Sequence, residues 1–79
     1  MCLGVPMWVV ERYGHLARCE VNRVERTVSL FLLQHESIEP GDPVMVDVGY
    51  AIQKMNPADA RSVWDALDEA FAAVDASDA

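Results

Sequence analysis

Short β-patterned segments separated by turn residues fill the first 55 residues, and this pattern restricts the chain to a small β-rich unit. The clearest segment is 44–49, where valines at positions 44, 46 and 48 alternate with Met45, Asp47 and Gly49. Strict alternation predicts a half-buried strand with the valines facing inward and Asp47 facing solvent. Residues 49–52 are expected to extend or bend that strand.

Three further strands are predicted before it. Residues 5–12 are rich in β-branched and aromatic side chains, residues 15–21 alternate, and residues 26–33 place Val28, Leu30 and Leu32 on one face. Residues 34–43 are polar and contain two prolines and a glycine, which predicts a turn or short loop. Cys19 lies on the side of its strand that predicts a reduced core residue.

One amphipathic helix is predicted after the strands. Asn56 is suited to the N-cap, and Pro57 to the first helical position, where its missing N–H leaves no hydrogen bond unmade. Apolar residues then follow at helical spacing. They are Ala60, Val63, Trp64, Leu67, Ala70, Phe71 and Val74. The stripe is longer than a small barrel needs, so Phe71 and Val74 are predicted to contact a partner.

The order of these elements predicts a mainly β fold, namely a small OB-like β-barrel followed by a C-terminal α-helix. Seventy-nine residues make a single domain with one thin core. Within it, we expect the barrel at residues 1–55, the helix at 56–74 and a frayed tail at 75–79.

Charge and composition exclude several classes of function. The net charge is −7, with −2 in residues 1–55 and −5 in residues 56–79, which disfavours nucleic acid as a partner. A membrane span and a secretory signal are both unsupported by the sequence, so we expect a cytoplasmic protein. Phosphate-binding loops, nucleophile elbows and paired carboxylates are also missing from the sequence, which predicts a binding protein rather than an enzyme.

Cys2 is the most informative single residue. If the initiator methionine is removed, its thiol and an α-amino group share one residue at the chain end. A nearby cation increases the thiolate fraction, and the thiolate is the form that binds metal. The alternative is a small apolar residue in a frayed terminus. Two cysteines without CxxC spacing do not predict a structural zinc site.

Two sequence blocks resemble a known family. The run Met1–Pro6 (MCLGVP) and the segment Gly41–Ile52 (GDPVMVDVGYAI) resemble signatures of the HypC/HybG/HupF family of NiFe-hydrogenase maturation chaperones. The capped helix that starts at Asn56 is similar to the closing helix of that family. These blocks span nearly the whole chain in the family's order.

The resemblance implies a small OB-like barrel and a role in metal-centre assembly. Family members pair with the iron–sulfur protein HypD and deliver an Fe(CN)2(CO) group to the precursor of the hydrogenase large subunit. No tightly bound cofactor is expected, because the iron group is carried transiently in complex with HypD. The resemblance assigns iron contact to Cys2. The predicted partner-contacting run is Cys2, Leu3, Gly4, Val5 and Pro6.

One position departs from the family pattern. Asp47 stands where the V-H-V-G segment usually has histidine, so this carboxylate is either a replacement iron ligand or a sign that iron is not carried. The run that starts at Met7 is also closer to HupF- and HoxL-like members than to the HypC branch. The alternative function is therefore a chaperone that holds the large-subunit precursor without carrying iron.

Overall fold

A computed structural model describes residues 4–77, and describes side chains as far as residue 72. Five strands come first, followed by one helix. The strands are β1 (Val5–Tyr13), β2 (Leu16–Val21), β3 (Val24–Ser29), β4 (Pro43–Asp47) and β5 (Tyr50–Lys54), and the helix is α1 (Pro57–Ser77). In this part of the chain, no helix combines the length and the apolar character that crossing a membrane requires.

The strands close into a barrel in the order β1-β2-β3-β5-β4, and β4 returns to β1. Neighbouring strands are antiparallel except β3 and β5, which run parallel and pair at one position, Ser29 with Tyr50. This architecture confirms the predicted small β-barrel followed by a C-terminal helix. Closure pairs the strand edges that would otherwise be open to other chains, except along most of β3.

The barrel interior is filled by alternate residues of every strand. Cys19 is fully buried there, as predicted, and its thiol is free. The buried cluster consists of Met7, Val9, Ala17, Cys19, Val28, Leu30, Leu33, Ile38, Val44, Val46 and Ala51. Among the described residues, the cluster starts at Met7, and Val5 of the same strand packs against it.

The third predicted strand was wrong in its second half. β3 ends at Ser29, and residues Phe31–Leu33 form a 3-10 turn that leaves Leu32 52% exposed. The chain turns here because the amide of Leu33 bonds to the carbonyl of Leu30 at 2.9 Å. Leu30 and Leu32 have the two-residue spacing of a strand, but of the two only Leu30 faces inward. The following loop contains a core residue that the sequence did not reveal, Ile38, which is 1% exposed.

Val48 was predicted to face inward with Val44 and Val46, and this was also wrong. Val48 and Gly49 form a two-residue turn with φ values of +51° and +80°, and Val48 is 74% exposed. The segment after it does not extend β4 but returns as the antiparallel strand β5. Gly49 adopts the left-handed conformation readily, whereas a β-branched residue is strained there.

We therefore expect Val48→Asn to stabilise the protein. Asparagine is favoured at the first position of this turn type, and relief of the left-handed strain contributes about 1 kcal/mol, or about 4–8 °C in Tm for a chain of this size. Thermal unfolding followed by circular dichroism measures the change. Val10→Asn is the matched control, because Val10 lies in β1 without a positive φ and should give no gain. A lower Tm for Val48→Asn would contradict the strain argument.

Helix α1 begins as predicted but ends later. The side chain of Asn56 caps it by accepting a hydrogen bond from the amide of Ala58 at 2.8 Å. The helix continues to Ser77, past the predicted end at residue 74, because no glycine or proline follows Pro57 within it. Its first half packs on β1 and β4. Ala60 is buried there, whereas Phe71 is 60% exposed.

Candidate functional site

Asp47 lies at the end of β4, next to the start of the described chain. Val5 pairs with Val46 across β1 and β4, so Asp47 follows directly beside Gly4. Its cross-strand partner is Tyr50, which faces outward. The outward direction predicted for Asp47 is thus correct, but simple solvent exposure is not. The residue is half-buried, and its Oδ1 is fully buried without a hydrogen-bond partner in the described part of the protein.

Gly4 holds the start of β1 tightly against β4. A Cβ atom at this position would come within 2.9 Å of the Met45 sulfur, closer than van der Waals contact allows. A larger residue at position 4 would therefore require the flexible end of the Met45 side chain to move aside. Cys2 and Leu3 lie outside the described residues, and their roles remain predictions.

The run from Cys2 to Pro6 was predicted to contact a partner, which requires exposed side chains. Neither Val5 nor Pro6 of this run is fully exposed. Val5 is half-buried, and Pro6 is among the fully buried side chains. The carbonyl of Pro6 accepts a hydrogen bond from the indole Nε1 of Trp64 at 2.6 Å. This segment therefore anchors helix α1 to β1, and the ring of Pro6 is not available for direct contact with another protein.

An exposed apolar surface adjoins Asp47, and we call Val48, Tyr50 and Ile52 the hairpin patch. Their exposed fractions are 74%, 46% and 45%. This surface was not predicted, because residues 49–52 were expected to extend or bend β4 and not to return as a separate strand. The Val-Gly pair was the signal that could have revealed the turn, because glycine follows a strand at a position where two-residue hairpins need positive φ.

The helix supplies a second exposed apolar position. Phe71 is 60% exposed near acidic neighbours such as Asp68 and Glu69. Val74 lies within α1, but its side chain is outside the described part of the structure. The exposure of Phe71 is compatible with the predicted partner contact.

Burial makes the second thiol of the chain unreactive. Removal from water raises the pKa of Cys19 to about 11, because the charged thiolate is poorly solvated in the barrel. At pH 8 Cys19 is therefore almost entirely the neutral thiol. Any thiolate chemistry of the native protein near neutral pH must come from Cys2.

Alkylation should therefore distinguish the two cysteines. With iodoacetamide at pH 8, we expect native protein to be modified at Cys2, and Cys19 to react only after denaturant is added. Peptide mass spectrometry of time points measures both rates. The Cys2→Ala variant is the control, since its native form should take up almost no reagent. Equal native rates at the two positions would contradict the burial argument.

Among the side chains described, those of residues 4–72, no three from His, Cys, Asp or Glu converge to form a metal site. The described part of the chain therefore offers single ligand candidates. Asp47 is the one that the resemblance selects, and its buried, unpartnered oxygen is compatible with a role as an acceptor or ligand.

These features define a small OB-like β-barrel protein whose candidate site lies where the N-terminal segment meets the β4–β5 turn. The chain belongs to the HupF/HypC family, whose sequence profile matches residues 1–67. It is 37% identical to the hydrogenase expression/formation protein HupF of Bradyrhizobium diazoefficiens over 78 residues, which cover 99% of this chain and 78% of that protein.

Similarity to HypC proteins is of the same degree. The hydrogenase maturation factor HypC of Escherichia coli K12 is 37% identical over 75 residues, covering 90% of this chain and 83% of the relative. The HypC of Helicobacter hepaticus is 39% identical over 62 residues, covering 77% of this chain and 71% of the relative. Equal identity to HupF and HypC proteins does not assign the chain to either branch.

Proposed function

We propose that this protein is a maturation chaperone for a NiFe hydrogenase. The observation that carries the proposal is the family match over residues 1–67, which includes both Cys2 and Asp47. Its relatives are named hydrogenase maturation or expression/formation proteins. The protein acts in this proposal as a carrier and not as a catalyst, in the cytoplasm, without nucleic acid or membrane partners.

Its proposed partners are HypD and the precursor of the hydrogenase large subunit. The Fe(CN)2(CO) group is the cargo, and the thiolate of Cys2 is its proposed contact on this chain. A soft sulfur ligand suits low-valent iron with cyanide and carbonyl ligands. Gly4, which is two residues after Cys2 in the sequence, lies beside Asp47. Asp47 is therefore the proposed second contact for the iron group, as an oxygen ligand or a hydrogen-bond acceptor.

Two exposed apolar areas support the partner contacts. The hairpin patch adjoins Asp47, and a partner seated on it would cover the candidate iron position as well. Phe71 lies on the half of α1 that projects past its contacts with β1 and β4. Burial of such side chains at an interface stabilises a complex through the hydrophobic effect.

Anaerobic co-expression with HypD tests the iron-carrying proposal. The purified complex should contain iron and show infrared bands in the cyanide and carbonyl stretching regions. The same preparation of Cys2→Ser is the matched control, because serine keeps the size of the side chain but removes the soft sulfur. A wild-type complex that forms without these bands would contradict iron carriage while leaving the interaction with HypD intact.

The replacement of the family histidine by Asp47 supports a second candidate function. In this alternative the protein is a HupF/HoxL-like chaperone that holds the large-subunit precursor and carries no iron. Asp47→His distinguishes the two functions. If Asp47 serves as a ligand, the wild type already shows the infrared bands. If it marks loss of the iron step, wild type lacks the bands and still binds the precursor, and Asp47→His gains iron.

A further inference from the structure

The barrel closes incompletely along β3. This strand pairs with β2 along its whole length, but with β5 only where Ser29 meets Tyr50. Residues 24–28 therefore have one edge without a strand partner in the described structure. An edge of this kind presents backbone N–H and C=O groups that can pair with another extended chain.

The direction of these groups follows from the β2–β3 turn. Asn22 and Arg23 form a two-residue turn with positive φ, so Val21 and Val24 are the hydrogen-bonded closing pair. Hydrogen-bonded pairs alternate in an antiparallel ladder, so Glu25, Thr27 and Ser29 direct their backbone groups away from β2. Ser29 confirms this, because its amide bonds outward to the carbonyl of Gly49 at 2.9 Å.

Glu25 and Thr27 are therefore the free positions of the edge. The carbonyl of Glu25 accepts a hydrogen bond from the guanidinium of its neighbour Arg26 at 2.8 Å. This bond is exposed and local, so an incoming backbone amide can replace it. The backbone of Thr27 forms no hydrogen bond outside the β2–β3 ladder in the described part of the protein.

An apolar groove of about 290 Å³ runs beside this edge. It lies between the β2–β3 hairpin, the start of β1 and Trp64 of helix α1. Its lining residues are Val5, Met7, Val21, Asn22, Val24, Arg26 and Trp64. A strand added to β3 would direct alternate side chains into the groove, because side chains of a strand alternate between the two faces.

Charge indicates which chain fits. Residues 16–29 carry three arginines and two glutamates, a net charge of +1 in a protein of −7. Arg18 is held by Glu11 and Glu25, but Arg23 and Arg26 form no ion pair with the described residues. Arg26 lines the groove, so a carboxylate in the incoming segment would meet its guanidinium there.

We propose that the free edge of β3 and this groove bind an extended peptide segment of a partner protein by strand addition. In that segment the side chains that face the groove are apolar except for one carboxylate, and the side chains between them are polar. The backbone pairs with Glu25 and Thr27, an apolar side chain enters the groove, and the carboxylate lies against Arg26. This site goes beyond the proposed function, since it needs neither Cys2 nor an iron group.

A synthetic peptide tests the site. The probe is a capped eight-residue peptide that alternates valine and threonine, with one central valine replaced by glutamate so that the carboxylate faces the groove. Amide hydrogen exchange measured by NMR on the ¹⁵N-labelled protein should slow at Glu25 and Thr27. At a peptide concentration nine times Kd the expected slowing is about tenfold. The amides of Val24, Arg26 and Val28 should change little, because they already bond to β2.

Substitutions separate backbone pairing from other modes of binding. Thr27→Pro removes the outward N–H without breaking a bond to β2, and should abolish binding. Thr27→Val, which keeps the N–H, should bind as the wild type does. If Thr27→Pro fails to fold, the probe with proline in place of its central threonines makes the same test. Arg26→Gln should weaken binding about two- to fivefold, and a glutamine in place of the peptide glutamate should remove that difference.

Two results would overturn the proposal. One is saturating peptide that leaves exchange at Glu25 and Thr27 unchanged. The other is slowing at these amides with rising protein concentration alone, together with a dimer in sedimentation, which would assign the edge to a second copy of this chain.

Discussion

Cys2→Ala should eliminate recovery of the iron-containing complex while leaving the barrel folded. Loss of the thiolate removes the proposed iron contact itself. The effect should therefore exceed the roughly 10–100-fold losses that follow when only the surroundings of a metal ligand are changed. Anaerobic pulldown of tagged protein with HypD and the large-subunit precursor, followed by iron analysis, measures it.

The folded state should be unaffected because the described barrel core is built from residues that follow Cys2, starting with Val5, Pro6 and Met7. Thermal unfolding of Cys2→Ala should differ from that of wild type by no more than about 0.5 kcal/mol. Cys2→Ser is the matched control for size and should behave as Cys2→Ala does. Undiminished pulldown of both partners by Cys2→Ala would overturn the assignment of Cys2 as the contact residue.

Trp64→Ala should be the most destabilising change in the helix. Trp64 joins α1 to β1 through the hydrogen bond from its Nε1 to the Pro6 carbonyl at 2.6 Å, and its half-buried ring also lines the groove. Loss of the ring at a partly exposed site should lower the free energy of unfolding by about 2–3 kcal/mol, somewhat less than a fully buried tryptophan would. Chemical denaturation followed by circular dichroism measures the change.

Trp64→Phe separates the hydrogen bond from packing. It retains most of the ring and should lower the free energy of unfolding by about 0.5–1.5 kcal/mol. Trp8→Phe is the matched control, because Trp8 is also half-buried and the change leaves the bond to Pro6 in place. If Trp64→Ala and Trp64→Phe unfold as wild type does, like the control Trp8→Phe, the bond to Pro6 does not anchor the helix.

The sequence predicted elements whose signals are local. Asn56 and Pro57 begin the helix by satisfying its first backbone groups, and this depends on adjacent residues alone. The same holds for the alternation in β2, which correctly placed Cys19 inside. The end of β3 could not be predicted, because Leu30 and Leu32 keep the period of a strand. The turn that follows is closed by the bond from the Leu33 amide to the Leu30 carbonyl, and the apolar spacing gives no sign of it.

The residues of the candidate site could be selected from the sequence, but their burial and their neighbours could not be predicted. Asp47 was selected by its position in the family-like segment, and alternation gave its outward direction. Its buried Oδ1 depends on the approach of β1 to the end of β4, which joins residues about 40 positions apart in the chain. The hairpin patch depends on a left-handed valine at 48, a conformation that local preference disfavours.

The fixed position of Gly4 sets a short tether for Cys2. Because Val5 pairs with Val46, Gly4 lies beside Asp47 at the end of β4, and the N-terminal segment leaves the barrel there. Cys2 is two residues before Gly4, so the Cα atoms of the two residues are at most about 7 Å apart. In the proposed function, the partner must therefore bring its iron almost to the surface of the barrel. The partner can therefore bring its iron to Cys2 only if the depth of its metal pocket fits the shape of the hairpin patch. Residues inserted between Cys2 and Gly4 would remove this requirement.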